Sequence, residues 1–359
     1  METYRAAVIG CSRMGAFIDN EVPDYEAIKL PYSHAAGFFA EERTDLVACA
    51  DLRPEVMEHF GNRYNVPKAN QYTDYRDMLE KEQPDIVSVA TQPEHRAEIV
   101  IYAAEHGVKA IYAEKAMAAS MDEAAAMVSA VEENSVAFNL GTNRRWHTGF
   151  DKMKEIIDSG EIGNLQTLII YSNGTLFNTA SHNLDLILRL NSDAPASWVT
   201  GYLPQGDSIF DGNEMRVDPS GGGTIQFENG VMTHALLTPR GSEWEAICEG
   251  GTVTCWNNGW QWQLRKRQDV PGWRTCQVPD TFPEFERTSS TANLIKDLVH
   301  ALDTGEPTRG GVRCAYASTE LIFGIIESHL HNGARIELPL KDSNVRLQRN
   351  PTARQPRVG

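Results

Sequence analysis

The 359-residue sequence holds only six cysteines, at 11, 49, 248, 255, 276 and 314, with no CxxC pair and no zinc-ligand spacing. So sparse a set excludes a disulfide scaffold, and no metal site is expected. Cys11 and Cys49 fall in apolar, strand-like contexts that suit buried reduced thiols. No run approaches eighteen apolar residues, which excludes a membrane-spanning helix. The opening METYRAAVIG passes straight into a strand-like stretch without a basic and then apolar leader, so no secretory signal is expected and the reading is a soluble, cytoplasmic chain. Positive charge is also short. Lys and Arg number 33 against 49 Asp and Glu, a net charge of −16. That balance argues against general nucleic-acid or membrane-surface binding, which needs a cationic face to displace counterions. A small anionic ligand stays open, because a few local cations outweigh a distant net charge. Residues 341–359 alone run the other way, with five basic residues and one acidic, and read as a solvated basic tail outside the folded domains.

What is present suffices for a sizeable core: 41% hydrophobic residues over a length that suits two domains. Short apolar runs at Ala6–Ile9, Leu46–Ala50, Ile86–Ala90, Ala110–Ala113 and Val136–Leu140 alternate with helical patterns such as Tyr75–Lys81, Arg96–Glu105 and Asp122–Glu132. Such alternation predicts βαβ units and a parallel sheet covered on both faces. Gly107 marks a helix end, and Ser120-Met-Asp-Glu123 predicts a capping box. After about residue 150 the texture becomes β-rich, at Leu165–Ser172, Ser197–Tyr202, Gly223–Phe227, Val231–Thr238, Glu245–Glu249 and Thr252–Trp256. Turn signals at Glu228-Asn-Gly and Glu249-Gly-Gly predict an antiparallel sheet. Helices are predicted at Phe150–Ser159, His182–Leu190, Ser289–Thr304 and Val312–His331, with a last strand at Arg335–Leu338. An α/β domain is therefore followed by an α+β domain.

The first predicted strand ends in Gly10-Cys-Ser12-Arg13-Met14-Gly15. Gly10 permits a tight turn, Gly15 permits close helix–sheet packing, and the N–H groups between them suit a pyrophosphate. Ser12 stands where such turns carry a middle glycine. Asp51 ends the second strand, where an acid can bind a ribose diol and repel a 2′-phosphate, favouring NAD over NADP; it could equally cap a helix. Arg53 could instead pair with a 2′-phosphate. The spacing from Gly15 to Asp51 is long for this motif, so Ile18–Ser33 reads as an inserted loop beside the turn. Ligands in open parallel sheets bind beyond the carboxyl ends of the strands. That places Thr91-Gln92-Pro-Glu-His95 and Glu114-Lys115-Ala116 among the candidates. Lys115 could otherwise be a solvated charge, Asn143, Arg144 and Arg145 loop polar groups, and His182 a capping or core residue. The tryptophans at 244, 256, 260, 262 and 273 read as sheet packing before sugar stacking.

The glycine turn, Asp51, Thr91–His95 and Glu114-Lys115, in this order, resemble the Gfo/Idh/MocA family of NAD(P)-dependent sugar and cyclitol dehydrogenases. Gly141-Thr-Asn-Arg-Arg-Trp-His147, Ile157-Asp-Ser-Gly-Glu-Ile-Gly163, Phe227-Glu-Asn-Gly-Val231 and residues 312–338 extend the likeness over roughly residues 4–340. The resemblance implies a Rossmann domain over 1–140. A substrate-binding and oligomerisation α+β domain with a large, mainly antiparallel, open-faced sheet follows over 141–340, and a basic tail over 341–359. It implies cofactor contacts from Gly10, Ser12, Arg13, Met14, Gly15, Asp51, Arg53, Thr91, Gln92, His95, Glu114, Lys115 and Asn143. Substrate contacts are implied from Lys115, Arg145, Trp146, Asn178, His182 and Asp185. Lys115 matches the lysine of the family's Glu-Lys-Pro motif, with Ala116 replacing proline. Asn178-Thr-Ala-Ser-His182-Asn-Leu-Asp185 matches its Asp–His–Asp run, with Asn178 replacing the first Asp. Lys115 and His182 would share deprotonation of a hydroxyl, Asn178 would orient it, and Asp185 reads as structural.

The activity so implied is NAD-dependent oxidation of a secondary hydroxyl of a sugar, sugar derivative or cyclitol. The alternatives are glycoside cleavage or elimination through transient substrate oxidation, and a non-catalytic NAD-binding regulator. The implied cofactor is NAD, with NADP open; the implied partners are a sugar or polyol and further copies of the chain, as a homodimer or homotetramer through the C-terminal sheet.

Overall fold

The computed structural model describes residues 3–349. The chain divides into two compact units. Among the described residues the first comprises 3–146, 288–316 and 348–349; the second comprises 147–287 and 317–347. Residues 288–316, expected in the second domain, therefore pack into the first.

The first unit is built on six strands, β1 Tyr4–Ile9, β2 Thr44–Ala50, β3 Gln71–Tyr72, β4 Ile86–Val89, β5 Ala110–Ala113 and β6 Ala137–Leu140. They lie in the order β3-β2-β1-β4-β5-β6 and every pairing is parallel. The helices are α1 Arg13–Ala16, α2 His34–Ala40, α3 Pro54–Tyr64, α4 Tyr75–Glu82, α5 Pro93–Glu105 and α6 Met121–Glu133. A parallel sheet covered on both faces needs apolar residues at successive strand positions, and β1 supplies them. Ala7 and Ile9 enter one core, while Ala6 and Val8 enter the other. Each fully buried Val or Ile there contributes about 1.5–3 kcal/mol. The capping box forms at α6: Ser120 Oγ accepts from Glu123 N–H at 3.2 Å, and Glu123 Oε2 accepts from Ala119 N–H at 3.0 Å.

The second unit opens with α7 Thr148–Asp158, β7 Leu165–Ser172, α8 Ser181–Leu190 and β8 Ala196–Tyr202. Two short strands, β9 Phe210–Asp211 and β10 Glu214–Met215, precede β11 Gly222–Phe227, β12 Met232–Leu237, β13 Glu243–Cys248, β14 Gly251–Trp256, β15 Gln261–Asp269 and β16 Thr275–Asp280. After α9 Ser290–Thr304, a first-unit element, α10 Val312–Leu330 begins in the first unit and ends in the second. The strands β17 Ile336–Glu337 and β18 Arg346–Leu347 follow. Nine strands form one sheet, in the order β16-β15-β14-β13-β7-β12-β11-β8-β17. It is antiparallel except where β7 and β12 pair in parallel. One face, carrying Leu168, Ile170, Ile225, Phe227 and Ala246, is buried; Thr167, Ile169 and Tyr171 on the other are only half-buried. Trp244 is buried, and Trp262 packs against Phe150, Phe282 and Phe285 at 4.9–5.8 Å, so sheet packing accounts for these two. Trp273 is exposed.

The expectation of a tail outside both domains is corrected over its first part. β18 pairs with β10, and Val345 and Leu347 are buried in the second unit. In the first, the Arg349 guanidinium binds Glu94 at 2.7 and 3.0 Å and Gln92 at 3.1 Å. Burial of two apolar side chains offsets the cost of ordering the segment. The remainder of the predicted tail lies outside the described residues.

Candidate functional site

In the first unit the site is built where β1, β2, β4 and β5 end. Gly10 has φ +92° and donates its N–H to Ala50 O at 2.8 Å. A Cβ on Gly10 would lie 3.0 Å from the Ala90 carbonyl, and one on Gly15 would lie 1.8 Å from the Gly10 oxygen. Neither position admits a side chain, so the chain turns as tightly as backbone allows. The first bond inside α1 runs from Ala16 N–H to Ser12 O at 3.1 Å, leaving the N–H groups of Arg13, Met14 and Gly15 ahead of the helix's own bonding. Ser12 occupies the N-cap, yet its side chain makes no capping bond. Arg13 is exposed and pairs with Glu21 of the inserted segment at 2.9 Å.

Asp51 follows β2 directly. Its Oδ2 accepts the Cys11 N–H of the glycine turn at 2.9 Å, and its Oδ1 accepts the Arg53 N–H at 3.1 Å. The Arg53 guanidinium closes on the same carboxylate at 3.0 and 3.3 Å, and that contact raises its pKa. Arg53, not Asp51, is the N-cap residue of α3.

Thr91 and Gln92 follow β4, with His95 in the first turn of α5; Gln92 and His95 are exposed. Arg96, 1% exposed, ties this turn to the next: its guanidinium donates to Thr91 O and to Ala116 O. Burial pulls that guanidinium down to about 10, against the pull of Glu114 and Glu94, so it stays cationic at neutral pH. Lys115 is half-buried, and its peptide bond to Ala116 is cis.

Glu114, expected beside the cofactor, is buried and takes an internal role. Its Oε2 accepts the Lys115 N–H at 2.8 Å and lies 4.0 Å from Lys115 Nζ. Its Oε1 lies 3.6 Å from His34 Nε2. Burial alone would raise its pKa; Lys115, His34 and Arg96 outweigh that and hold it below the ordinary glutamate range. Beyond β6, Asn143, Arg145 and Trp146, expected to contact cofactor or substrate, are all buried. Asn143 Nδ2 donates to Thr291 Oγ1 at 2.9 Å. Arg145 reaches Arg309 O at 3.3 Å, and Trp146 Nε1–H donates to Asp297 at 3.2 Å. A large ring and a guanidinium enclosed in this way hold the unit's interior together and do not face solvent.

In the second unit, Asn178 lies on the turn Leu176–Ala180, while His182 and Asp185 lie on α8. The turn is fixed by Asp218, whose carboxylate accepts Thr175 Oγ–H at 2.6 Å, Phe177 N–H at 2.9 Å and Asn178 N–H at 3.0 Å. Asn178 is exposed, and both His182 and Asp185 are buried. The motif's three residues thus sit on one turn and the helix it feeds.

The structure adds His34, Ser88, Arg96 and Asp218 to the residues that shape these groups. Only His34 carried a sequence signal, the inserted loop that ends beside it; Arg96 reaches Ala116, Ser88 reaches His34 and Asp218 reaches Asn178 across 20 to 54 residues.

Residues 4–142 match the family model GFO_IDH_MocA, an oxidoreductase family with an NAD-binding Rossmann fold. The uncharacterized oxidoreductase YrbE of Bacillus subtilis is 30% identical over 201 residues, 52% of this chain and 57% of its own. Inositol 2-dehydrogenase of Salmonella typhimurium is 26% identical over 178 residues, 46% and 52% of the two chains. The chain spans about half the length of these curated relatives. The fold is also that of an inositol dehydrogenase homolog from Azotobacter vinelandii, crystallised with NADH and myo-inositol. That structure has a TM-score of 0.73 and 15% identity, over 94% of this chain and 98% of that one. Among the described residues no helix is long and apolar enough to cross a membrane. The parallel sheet, the glycine turn at its centre and the family match fall on the same residues, and residues 4–142 form a Rossmann domain that matches the NAD-binding domain of the Gfo/Idh/MocA oxidoreductases.

Proposed function

We propose that this chain is an NAD-dependent dehydrogenase that oxidises a secondary hydroxyl of a sugar, sugar derivative or cyclitol. The observation that carries the reading is the turn Gly10–Gly15, whose two glycines pack so closely that a Cβ on Gly15 would meet the Gly10 oxygen at 1.8 Å, beside an acid at the end of β2. Such a cradle suits a diphosphate approached by backbone N–H groups. Asp51 stands at the strand end where the adenosine ribose diol would lie, and its charge disfavours a 2′-phosphate. Arg53 is held on Asp51, which supports NAD over NADP. The inositol dehydrogenase among the relatives supports the substrate class.

Bound NAD would supply the hydride acceptor for the carbinol carbon. Lys115 would donate a hydrogen bond to the reacting hydroxyl and favour its alkoxide character. His182 would accept the hydroxyl proton, since imidazole titrates in the neutral range. Asn178 can orient a hydroxyl but take no proton, so the transfer falls to His182 and Lys115. Asp185, one helical turn on, would orient the helix from within. The half-buried Ile169 and Tyr171 and the exposed Leu236 and Tyr202 of the large sheet suit self-association as a homodimer or homotetramer.

Lys115→Ala and His182→Ala test the roles. Each is expected to lower turnover of a polyol that the wild type oxidises by about 100-fold or more, with NADH binding retained in His182→Ala. Wild-type turnover in both variants would refute the assignment. NADH that forms in step with ketone product fits net oxidation; product without NADH would point to transient oxidation instead.

A further inference from the structure

Behind Lys115 lies a buried polar chain that the reading above does not use. The inserted segment between α1 and α2 delivers it. Asp19, itself buried, accepts the N–H groups of Tyr32 at 2.8 Å and Ser33 at 3.0 Å, and Ser33 Oγ accepts the Ala36 N–H at 3.3 Å. These bonds fix where α2 begins, and its first residue is His34. The His34 ring is fully buried and stacked on Tyr112 at 3.7 Å with 7° between the planes. Its Nδ1 lies 2.7 Å from Ser88 Oγ on β4. Its Nε2 faces Glu114 Oε1 at 3.6 Å, within ion-pair range, and neither atom has a hydrogen-bond partner among the described residues.

We propose that His34 is a positioning residue for Lys115, acting through Glu114. The role of Lys115 itself is taken from the proposed function. The tautomer follows from the partners. Burial disfavours the charged ring, against the pull of Glu114, so the neutral imidazole has one N–H to place. A carboxylate can only accept, so Nε2 carries the proton and points it at Glu114, while Ser88 donates to Nδ1. A buried carboxylate oxygen left without a donor is costly. The Nε2–H thus holds Oε1 inward, which leaves Oε2 on the Lys115 N–H and beside its ammonium. The other ionisable groups around this pair are Arg96 on α5, Tyr112 on β5 and Tyr32 at the end of the inserted segment. Tyr32 and Tyr112 are both pushed by burial above the ordinary tyrosine range, so neither competes as an anion.

The test reads Lys115 directly and needs no substrate. Competitive acetylation of Lys115 across pH, followed by peptide mass spectrometry, gives the midpoint at which its amine becomes reactive. In His34→Leu the carboxylate loses its donor and turns away or takes a proton, so the midpoint of Lys115 falls by about one pH unit. His34→Gln, whose amide can donate at the Nε2 position, recovers most of that shift. Ser88→Ala, which leaves the ring in place but frees its tautomer, moves the midpoint the same way by less, and serves if His34→Leu does not fold. A Lys115 midpoint unchanged in folded His34→Leu and in Ser88→Ala overturns the proposal, and so does an equal fall in His34→Leu and His34→Gln. A chain that oxidises no polyol would refute the proposed function and leave this readout intact.

Discussion

Substituting Gly15 by alanine perturbs the candidate cofactor turn by one methyl group. That Cβ would lie 1.8 Å from the Gly10 carbonyl oxygen, where real Cβ atoms are essentially never closer than 3.0 Å. The obstacle is backbone on both sides, so no rotamer relieves it. Either α1 or the turn must retreat by roughly 1 Å, and a closely packed interior resists such a shift. Overpacking of this kind costs about 1–3 kcal/mol of stability. Because the retreat moves the N–H groups after Ser12, NADH affinity should also fall by at least tenfold, or about 1.4 kcal/mol. The control is Gly107→Ala. Gly107, unlike Gly15, has a positive φ, +87°, but a Cβ there meets nothing within 4 Å. Left-handed strain then costs about 1 kcal/mol, with NADH binding unchanged. Urea unfolding measures the first quantity and NADH fluorescence titration the second. Wild-type NADH affinity in Gly15→Ala would refute the placement of the cofactor on this turn.

Two further perturbations test the scaffold. Asp218→Ala removes the acceptor for three donors ahead of α8 and should cost about 1–3 kcal/mol in urea unfolding; an unchanged midpoint would contradict the account of that turn. Arg349→Ala should cost about 1 kcal/mol at neutral pH by removing a two-pronged contact to Glu94. Burial would raise the Glu94 pKa, but Arg349 outweighs it and the folded value is depressed. The contribution is therefore present above the unfolded glutamate pKa of about 4.3 and is lost as pH falls through the lower folded value. Unfolding curves of wild type and variant should converge on acidification, and a gap independent of pH would exclude this pair as its cause.

The parallel core was legible because its cause is local. Strands buried on both faces read as apolar runs, and the residues that end them, Gly10, Asp51 and Lys115, stand one or two positions beyond. The capping box at Ser120 was legible for the same reason. What escaped the sequence depends on distant partners. The hairpin β15–β16 ends the sheet with β16 at its edge, and Arg265, Lys266 and Arg267 break any apolar run along β15. Leu264 is buried there, too little apolar signal to mark a strand. The parallel pairing of β7 with β12 has no local signature, since direction is set by the path of the intervening chain. Glu114, Asn143 and Trp146 look like ligand residues when adjacent to a strand end. Their partners within the chain, His34, Thr291 and Asp297, lie 80 to 151 residues away. Long-range pairing decides whether a polar residue at a strand end faces a ligand or the interior, and no window of sequence contains it.

The proposed activity is oxidation of a polyol by NAD. Its most direct test is the wild-type chain mixed with NAD and, one at a time, cyclitols, aldoses, sugar acids and glycosides, following the absorbance of the reduced nicotinamide. Reduced cofactor is expected to form with at least one cyclitol or sugar, faster from NAD than from NADP, and about 100-fold or more slower in Lys115→Ala. No reduced cofactor with any of them, from a chain that binds NADH, would contradict it.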